Sequence, residues 1–306
     1  MPQISLLSKA PGGSFDLAGY PVARVGYGAM QLRNNTGNRG AAIALVRRAV
    51  ELGVDHFDTA EFYGNGFVNQ VLHEALKSET GVVIATKIGA DPNPGEGPPI
   101  KLAQRPEELR VSVDKNLASL GLDQIPLVNL RRADTGPHFA KADQLVDVDD
   151  QIATMIDLRD EGKIGAIGLS AVGLDIVRRA HSVGIACVQN AYSLVDRQFE
   201  NVMEFCREMG VAWVPFFPLG GAIAGVPKVT EQPEVIAIAD HLGVTPSQVG
   251  LAWLLKKSEN TLLIPGTSNT SHLEENCAAG SVSLDDEAML ELDAIEPGHV
   301  TPTKTQ

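Results

Sequence analysis

The chain is poor in cysteine, in surplus positive charge and in long apolar runs, and each shortage excludes something. Only Cys187, Cys206 and Cys277 occur among 306 residues. They are odd in number, far apart and form no CxxC pair, which argues against a disulfide framework or a zinc knuckle. Buried, inert thiols are expected. Lys and Arg number 25 against 38 Asp and Glu, a net charge of −13. That balance disfavours nucleic acid or an anionic membrane as partner. No apolar run approaches a membrane span, and the opening MPQISLLSKAPGG lacks the apolar core of a signal peptide. A GxGxxG stretch is missing, so nothing marks a Rossmann-type dinucleotide site. No metal-ligand cluster and no pair of catalytic carboxylates stands out, which weakens a reading as some other barrel enzyme, an isomerase or a hydrolase. The expectation is a cytoplasmic protein without nucleic-acid or membrane partners, its oligomeric state open.

What is present is alternation. Short apolar runs, each bounded by turns, read as strands buried on both faces: 22–28, 54–60, 82–89, 125–131, 164–170, 186–192, 211–217 and 261–266. Helical patterns lie between them. In 39–52, Ile43, Val46 and Val50 fall at helical spacing, with Gly53 as a C-terminal cap. In 106–120, Pro106 suits the first turn and Gly121 the exit. In 197–209, Phe199, Val202, Met203 and Cys206 make one apolar face. Two helices, 233–243 and 246–257, separate the last two strands. Eight such units in about 250 residues is the usual size of a parallel (β/α)8 TIM barrel. Residues 14–24 read as a preceding hairpin with Gly19 at its turn, and 25–295 as the barrel, with 1–306 forming one domain. The Pro- and Gly-rich stretch 90–105 reads as a loop over the site.

In such a barrel the chemistry sits at the C-terminal ends of the strands. Those ends carry Asp58 followed by Tyr63, then Lys87, Arg131, Ser170 and Gln189. A free tyrosine has a pKa of about 10 and holds its proton near neutrality. A nearby ammonium favours the phenolate and is expected to lower that value, with Asp58 holding the ammonium in place. Asp, Tyr and Lys on one rim thus make a proton donor for a nascent alkoxide.

The stretches GVDHFDTAEFYG, ATKIG, EGKIGAIGLS, VQNAYSLVDR, PFFPLGG and LIPGTSNTSHLEENCAA, taken in order, resemble the aldo-keto reductase superfamily over residues 20–295. GYGAMQL, VNLR, PFFPLGG and LIPGTS resemble a narrower branch, the pyridoxal reductase (pyridoxine 4-dehydrogenase) type. The resemblance implies a (β/α)8 barrel with an N-terminal hairpin that binds NADPH or NADP, with NADH a second option. It implies a catalytic set of Asp58, Tyr63, Lys87 and Arg131, the last standing where most of the superfamily has His. It further implies cofactor contacts by Gly28, Ala29, Met30 and Asp58 at the first two strands, and by Ser170 and Gln189 on the nicotinamide carboxamide. Phe216 would stack on the nicotinamide ring. Pro218, Leu219, Gly220 and Gly221 would follow the pyrophosphate. Gly266, Ser268, His272, Glu275 and Asn276 would surround the adenosine end. Two positions depart from the superfamily. Ala171 replaces a common Asn and removes one carboxamide bond, and Gly266 with His272 replaces Lys and Arg, which weakens the preference for NADPH.

Each residue alone has a plainer reading. Asp58 could end a strand, Tyr63 could be a rim aromatic and Lys87 a solvated charge. Arg131 could pair with Asp134, Phe216 and Phe217 could pack in the core, and His56 could be a hydrogen-bonded core histidine rather than a metal ligand. Occurring together in order, they favour reduction of a small aldehyde or ketone to an alcohol, with pyridoxal the leading candidate. Met30, Phe62, Arg131 and the 90–105 stretch are the expected pocket walls. The rival reading is a non-catalytic, regulatory NADPH-binding barrel.

Overall fold

In the computed structural model, residues 10–93, 100–132, 146–221 and 227–298 are described. The chain begins with an antiparallel hairpin of β1 (Ser14–Leu17) and β2 (Tyr20–Ala23). Its two-residue turn places both Ala18 and Gly19 at positive φ, 61° and 85°, as a type I′ turn requires. Seven parallel strands follow in one sheet: β3 (Tyr27–Gly28), β4 (His56–Asp58), β5 (Val83–Ile88), β8 (Ile125–Arg131), β9 (Ile164–Ser170), β10 (Cys187–Gln189) and β11 (Ala212–Trp213). The expected eighth strand, 261–266, joins by isolated parallel bridges, Trp213 to Thr261 on one side and Val25 to Leu263 on the other. Those bridges close the ring. The result is the (β/α)8 barrel read from the sequence, hairpin included.

Helices connect the strands: α1 (Arg39–Glu51), α2 (Phe67–Leu76), α3 (Pro106–Leu120), α4 (Val148–Asp160), α5 (Leu174–His181) and α6 (Glu200–Glu208). The pair expected before the last strand is α7 (Pro233–Leu242) and α8 (Pro246–Lys257). Then come α9 (Thr270–Ala278) and α10 (Asp286–Asp293). Among these described helices, none is long and apolar enough to cross a membrane. The 90–105 stretch departs from the expected loop. Ala90–Pro92 (β6) and Ile100–Leu102 (β7) pair as a small antiparallel sheet, and 94–99 lie outside the described residues.

Strand side chains alternate with period two, and the alternation sorts the core into two layers. Ile84, Ile88, Val128, Leu130, Ile167, Leu169 and Val188 face the helices. Val83, Ala85, Leu127, Cys187, Ala212, Val214, Leu262 and Ile264 fill the barrel, where Leu17 and Val22 of the hairpin plug its N-terminal end. Inside, Gly168 gives way to Asn129: a Cβ there would stand 2.1 Å from Asn129 Oδ1. His56 also lies inside, 2% exposed. The expected hydrogen bond is absent: neither ring nitrogen has a hydrogen-bond partner, and Nδ1 lies 3.9 Å from Asp55 Oδ1. No metal-binding cluster occurs among the described residues. The three cysteines are free and buried as expected. Burial pushes Cys206 up to about 12 and Cys277 to about 11, and raises Cys187 as well.

Candidate active site

The same alternation aims the polar side chains. Lys87 follows Val83 and Ala85 on the inward face of β5, and Arg131 follows Leu127 and Asn129 on that of β8. Asp58, Ser170 and Gln189 end their strands on inward positions too. The register sets Arg131 opposite Ser170, and Ser170 opposite Gln189. Arg132 therefore turns outward. It is 6% exposed, donates to Gln151 Oε1 and reaches the carbonyl of Val146 at 3.4 Å.

These groups meet at the C-terminal mouth, around a cavity of about 540 Å³. Lys87 Nζ donates to Asp58 Oδ1 as a buried ion pair and to the carbonyl of Thr59 at 3.2 Å. Gln189 Nε2 donates to the other carboxylate oxygen, Asp58 Oδ2, at 2.7 Å. Lys87 Nζ lies 5.3 Å from the centre of the Tyr63 ring. Burial penalises the Lys87 ammonium, yet Asp58 and Tyr63 together hold its pKa above the ordinary lysine value. Tyr63 corrects an expectation. Burial pushes its phenol up, and the opposing pull of Lys87 and Arg131 does not overcome this. Because the side chain is only 9% exposed, the loss of phenolate hydration outweighs the neighbouring charge. The proton consequently stays on Tyr63 near neutrality, as a donor needs.

Arg131 is pressed down by burial and raised in part by Tyr63. No ion pair joins it to a carboxylate among the described residues, and its Nη1 is buried without a hydrogen-bond partner. The alternative partner Asp134 lies outside the described residues.

Of the residues singled out in the sequence, the cavity is lined by Gly28, Met30, Asp58, Phe62, Tyr63, Lys87, Arg131 and Ser170 on the strand side. Phe216, Pro218, Leu219, Gly220, Gly266, His272, Glu275 and Asn276 line the rest, with Ile100 from the 90–105 stretch. Phe217, left open between core and site, lines it too, edge-on to Phe216 at 5.1 Å. Four expected contacts do not line it. Ala29 is fully buried, Ser268 is exposed at the entry to α9, Gly221 packs against the Lys228 side chain, and Gln189 is turned to Asp58. Gln189 Oε1 is buried without a partner.

Several residues were not found from the sequence. Gln31, Arg33, Ser247 and Thr267 line the cavity: Gln31 and Thr267 sit inside the quoted stretches GYGAMQL and LIPGTSNTSHLEENCAA without having been given a role, and Arg33 and Ser247 lie in no quoted motif. Gln104 donates to the carbonyls of Gly89 and Arg131, at 2.5 and 2.9 Å. It thereby ties the ends of β5 and β8 together. Gln151 Nε2 in turn donates to the Gln104 carbonyl at 2.8 Å. Under the Tyr63 turn, Thr59 Oγ1 donates to Asn69 Oδ1 at 2.8 Å, and Asn69 Nδ2 donates to Glu61 Oε2 at 2.8 Å. Such buried amide networks have no short sequence signature, since their members lie on different elements.

The chain is similar to known proteins over nearly its whole length. Pyridoxine 4-dehydrogenase of Escherichia coli is 39% identical over 289 residues, covering 92% of this chain and 98% of that protein. A thermostable aldo-keto reductase solved with the inhibitor epalrestat superposes with a TM-score of 0.77 at 26% identity, covering 92% of this chain and 98% of that one. An aldo-keto reductase from Klebsiella pneumoniae, solved with NADPH, also gives a TM-score of 0.77, at 21% identity over 96% of this chain and 98% of that one. The aldo/keto reductase family model matches residues 24–297, and the chain belongs to that family.

Proposed function

We propose that this protein is an NADPH-dependent carbonyl reductase acting on small aldehydes or ketones. The observation that carries the reading is the joining of Asp58, Lys87 and Tyr63 in one buried cluster, with Arg131 beside it, at a cavity of about 540 Å³. Pyridoxal is the leading candidate substrate, in keeping with the activity named for the Escherichia coli relative. Residues 1–306 act as one barrel unit in a cytoplasmic enzyme without nucleic-acid or membrane partners.

The cavity suits a nicotinamide cofactor. The orphaned Gln189 Oε1 is an acceptor of the kind a carboxamide N–H needs, with Ser170 beside it in the register. Phe216 is half-buried at the cavity wall, its N–H fixed to the Asn190 carbonyl at 3.0 Å, and offers a ring face. Pro218–Gly220 and the 266–276 segment line the remainder. We assign Gly28, Met30, Ser170, Gln189, Phe216, Pro218, Leu219, Gly220, Gly266, His272, Glu275 and Asn276 to holding the cofactor. Of these, Gln189 does not line the cavity and is assigned on its partnerless Oε1 beside Ser170; Ala29, Gly221 and Ser268 do not line it either.

When bound, reduced nicotinamide supplies the hydride for a carbonyl carbon. Tyr63 Oη gives its proton to the carbonyl oxygen. The Lys87 ammonium stabilises the phenolate left behind, and Asp58 keeps that ammonium in place. Gln189 holds the second Asp58 oxygen, so the carboxylate cannot rotate away. Arg131 sets a fixed positive charge where negative charge grows on the oxygen.

The test is loss of NADPH absorbance against a panel of aldehydes, ketones and vitamin B6 aldehydes. Turnover of aldehydes with NADPH favoured moderately over NADH is the expected result. Tight NADPH binding with no turnover of any member would instead support a regulatory barrel.

A further inference from the structure

We propose that the carbonyl substrate carries an anionic oxygen beside its carbonyl group, and that Arg131 pairs with this anion as well as with the carbonyl oxygen. The inference rests on the reading of the cavity as a carbonyl-reducing site.

The argument starts from charge. The cavity holds two cations on the barrel's inner face, Lys87 buried and Arg131 half-buried with its Nη1 out of contact with solvent. Lys87 is neutralised by Asp58. Arg131 is not: no carboxylate pairs with it among the described residues, and its Nη1 has no acceptor. A guanidinium drawn out of water without a counter-ion is costly. A neutral aldehyde offers it one carbonyl dipole. A substrate with an ionised oxygen next to the carbonyl offers two acceptors side by side, which matches the planar guanidinium fork. An imidazole in the same place presents one ring nitrogen and cannot span the pair.

Arg33 adds to this field. It is exposed, lines the same cavity, and lies against the turn after Tyr63, where a Cβ at Gly64 would stand 3.4 Å from Arg33 Cβ. In a chain of net charge −13, a locally positive mouth draws anionic substrates. Two chemistries present the required pair of oxygens: 2-oxo acids, and aryl aldehydes with an ionised ortho hydroxyl. Met30, Phe62, Ile100 and Phe217 give an aryl ring apolar walls.

The test pairs each anionic compound with a neutral match. The first pair is 2-hydroxy-5-nitrobenzaldehyde, whose phenol is ionised at neutral pH, against 2-methoxy-5-nitrobenzaldehyde. The second is phenylglyoxylate against its methyl ester. Reduction with NADPH is followed by chromatography of the alcohol for the wild type, Arg131→Met and Arg131→His. The quantity read is the anion-to-neutral ratio of kcat/KM in the wild type divided by that in the variant, so intrinsic reactivity cancels. A value of about ten- to a hundredfold is expected, the size of one charge-assisted hydrogen bond. The pair that shows it identifies which chemistry fits. Values near one for both pairs, with the compounds still reduced, overturn the inference and leave carbonyl reduction standing. Failure to reduce these compounds and every member of the aldehyde panel overturns both.

A second readout needs neither turnover nor a variant. Nitrophenolate absorbance reports the ionisation of 2-hydroxy-5-nitrobenzyl alcohol as it binds. The wild type should lower the apparent pKa of the bound phenol. An unshifted or raised value removes the ortho-hydroxyl chemistry and leaves only the 2-oxo acid arm to carry the inference.

Discussion

Arg131 and Arg132 stand side by side in the chain and on opposite sides of β8 in the fold. One reaches the cavity without a carboxylate partner; the other is buried toward the helices with Gln151. Strand alternation alone separates them, and that much is legible in LVNLRR once Leu127 is placed inside. The charge of Arg131 does not titrate in the working range. Arg131→His replaces it with a group of unperturbed pKa about 6.5. The variant keeps the stabilising charge below that value and loses it above. Its kcat/KM should therefore fall as pH rises from 6 to 8, by a component missing from the wild-type profile. Profiles of the same shape would contradict the assignment. Ala171 is a second residue-scale test. It lines the cavity with φ at 56°, a left-handed conformation that Asn tolerates better than Ala. Ala171→Asn should keep the melting temperature and tighten NADP binding about two- to tenfold through one added hydrogen bond, read by fluorescence titration. An unchanged Kd would show that the side chain does not reach the cofactor.

At the scale of elements, positions that close packing controls were the least legible. Gly168 reads as an ordinary strand glycine, yet a Cβ there would meet Asn129 Oδ1 at 2.1 Å and Cys187 Sγ at 2.8 Å inside the barrel. Gly168→Ala should cost about 1–3 kcal/mol as overpacking, measured by urea unfolding; no loss of stability would mean that Asn129 moves aside freely. Gln104 carried no motif at all, because its partners are backbone carbonyls on two strands. Gln104→Leu removes a donor from both carbonyls, leaving that of Gly89 to the Ala103 N–H, and should cost about 1–3 kcal/mol. It should also lower kcat/KM while leaving the Kd for NADPH unchanged, since the residue holds the end of β8 and lines no part of the cavity. An equal loss of cofactor affinity would point to general loosening instead. The strands and helices themselves were legible to within a few residues. Ile125–Arg131, Ile164–Ser170 and Pro106–Leu120 coincide with the expected runs, because turns, Pro106 and Gly121 mark their limits. The eighth strand was legible as a run but forms only bridges, a matter of backbone geometry that composition does not encode.

Over the whole molecule, the barrel was legible because alternating strands and helices admit few parallel closures, and the hairpin because a two-residue turn separates two short runs. What the sequence did not convey is the balance of burial against charge. The spacing of Asp58, Tyr63 and Lys87 suggested a lowered phenol pKa, while the folded barrel buries Tyr63 deeply enough to raise it. That balance depends on how much water the assembled mouth excludes, which no local stretch records. It leaves a simple central claim: Tyr63 carries the proton that completes carbonyl reduction. The most direct measurement is single-turnover oxidation of bound NADPH by an aldehyde, comparing the wild type with Tyr63→Phe, so that product release does not mask the chemical step. Removing a general acid slows such a step about a hundred- to ten-thousandfold, and that loss is expected here with the Kd for NADPH held close to wild type. A Tyr63→Phe protein that oxidises its bound NADPH at more than half the wild-type rate would contradict the account.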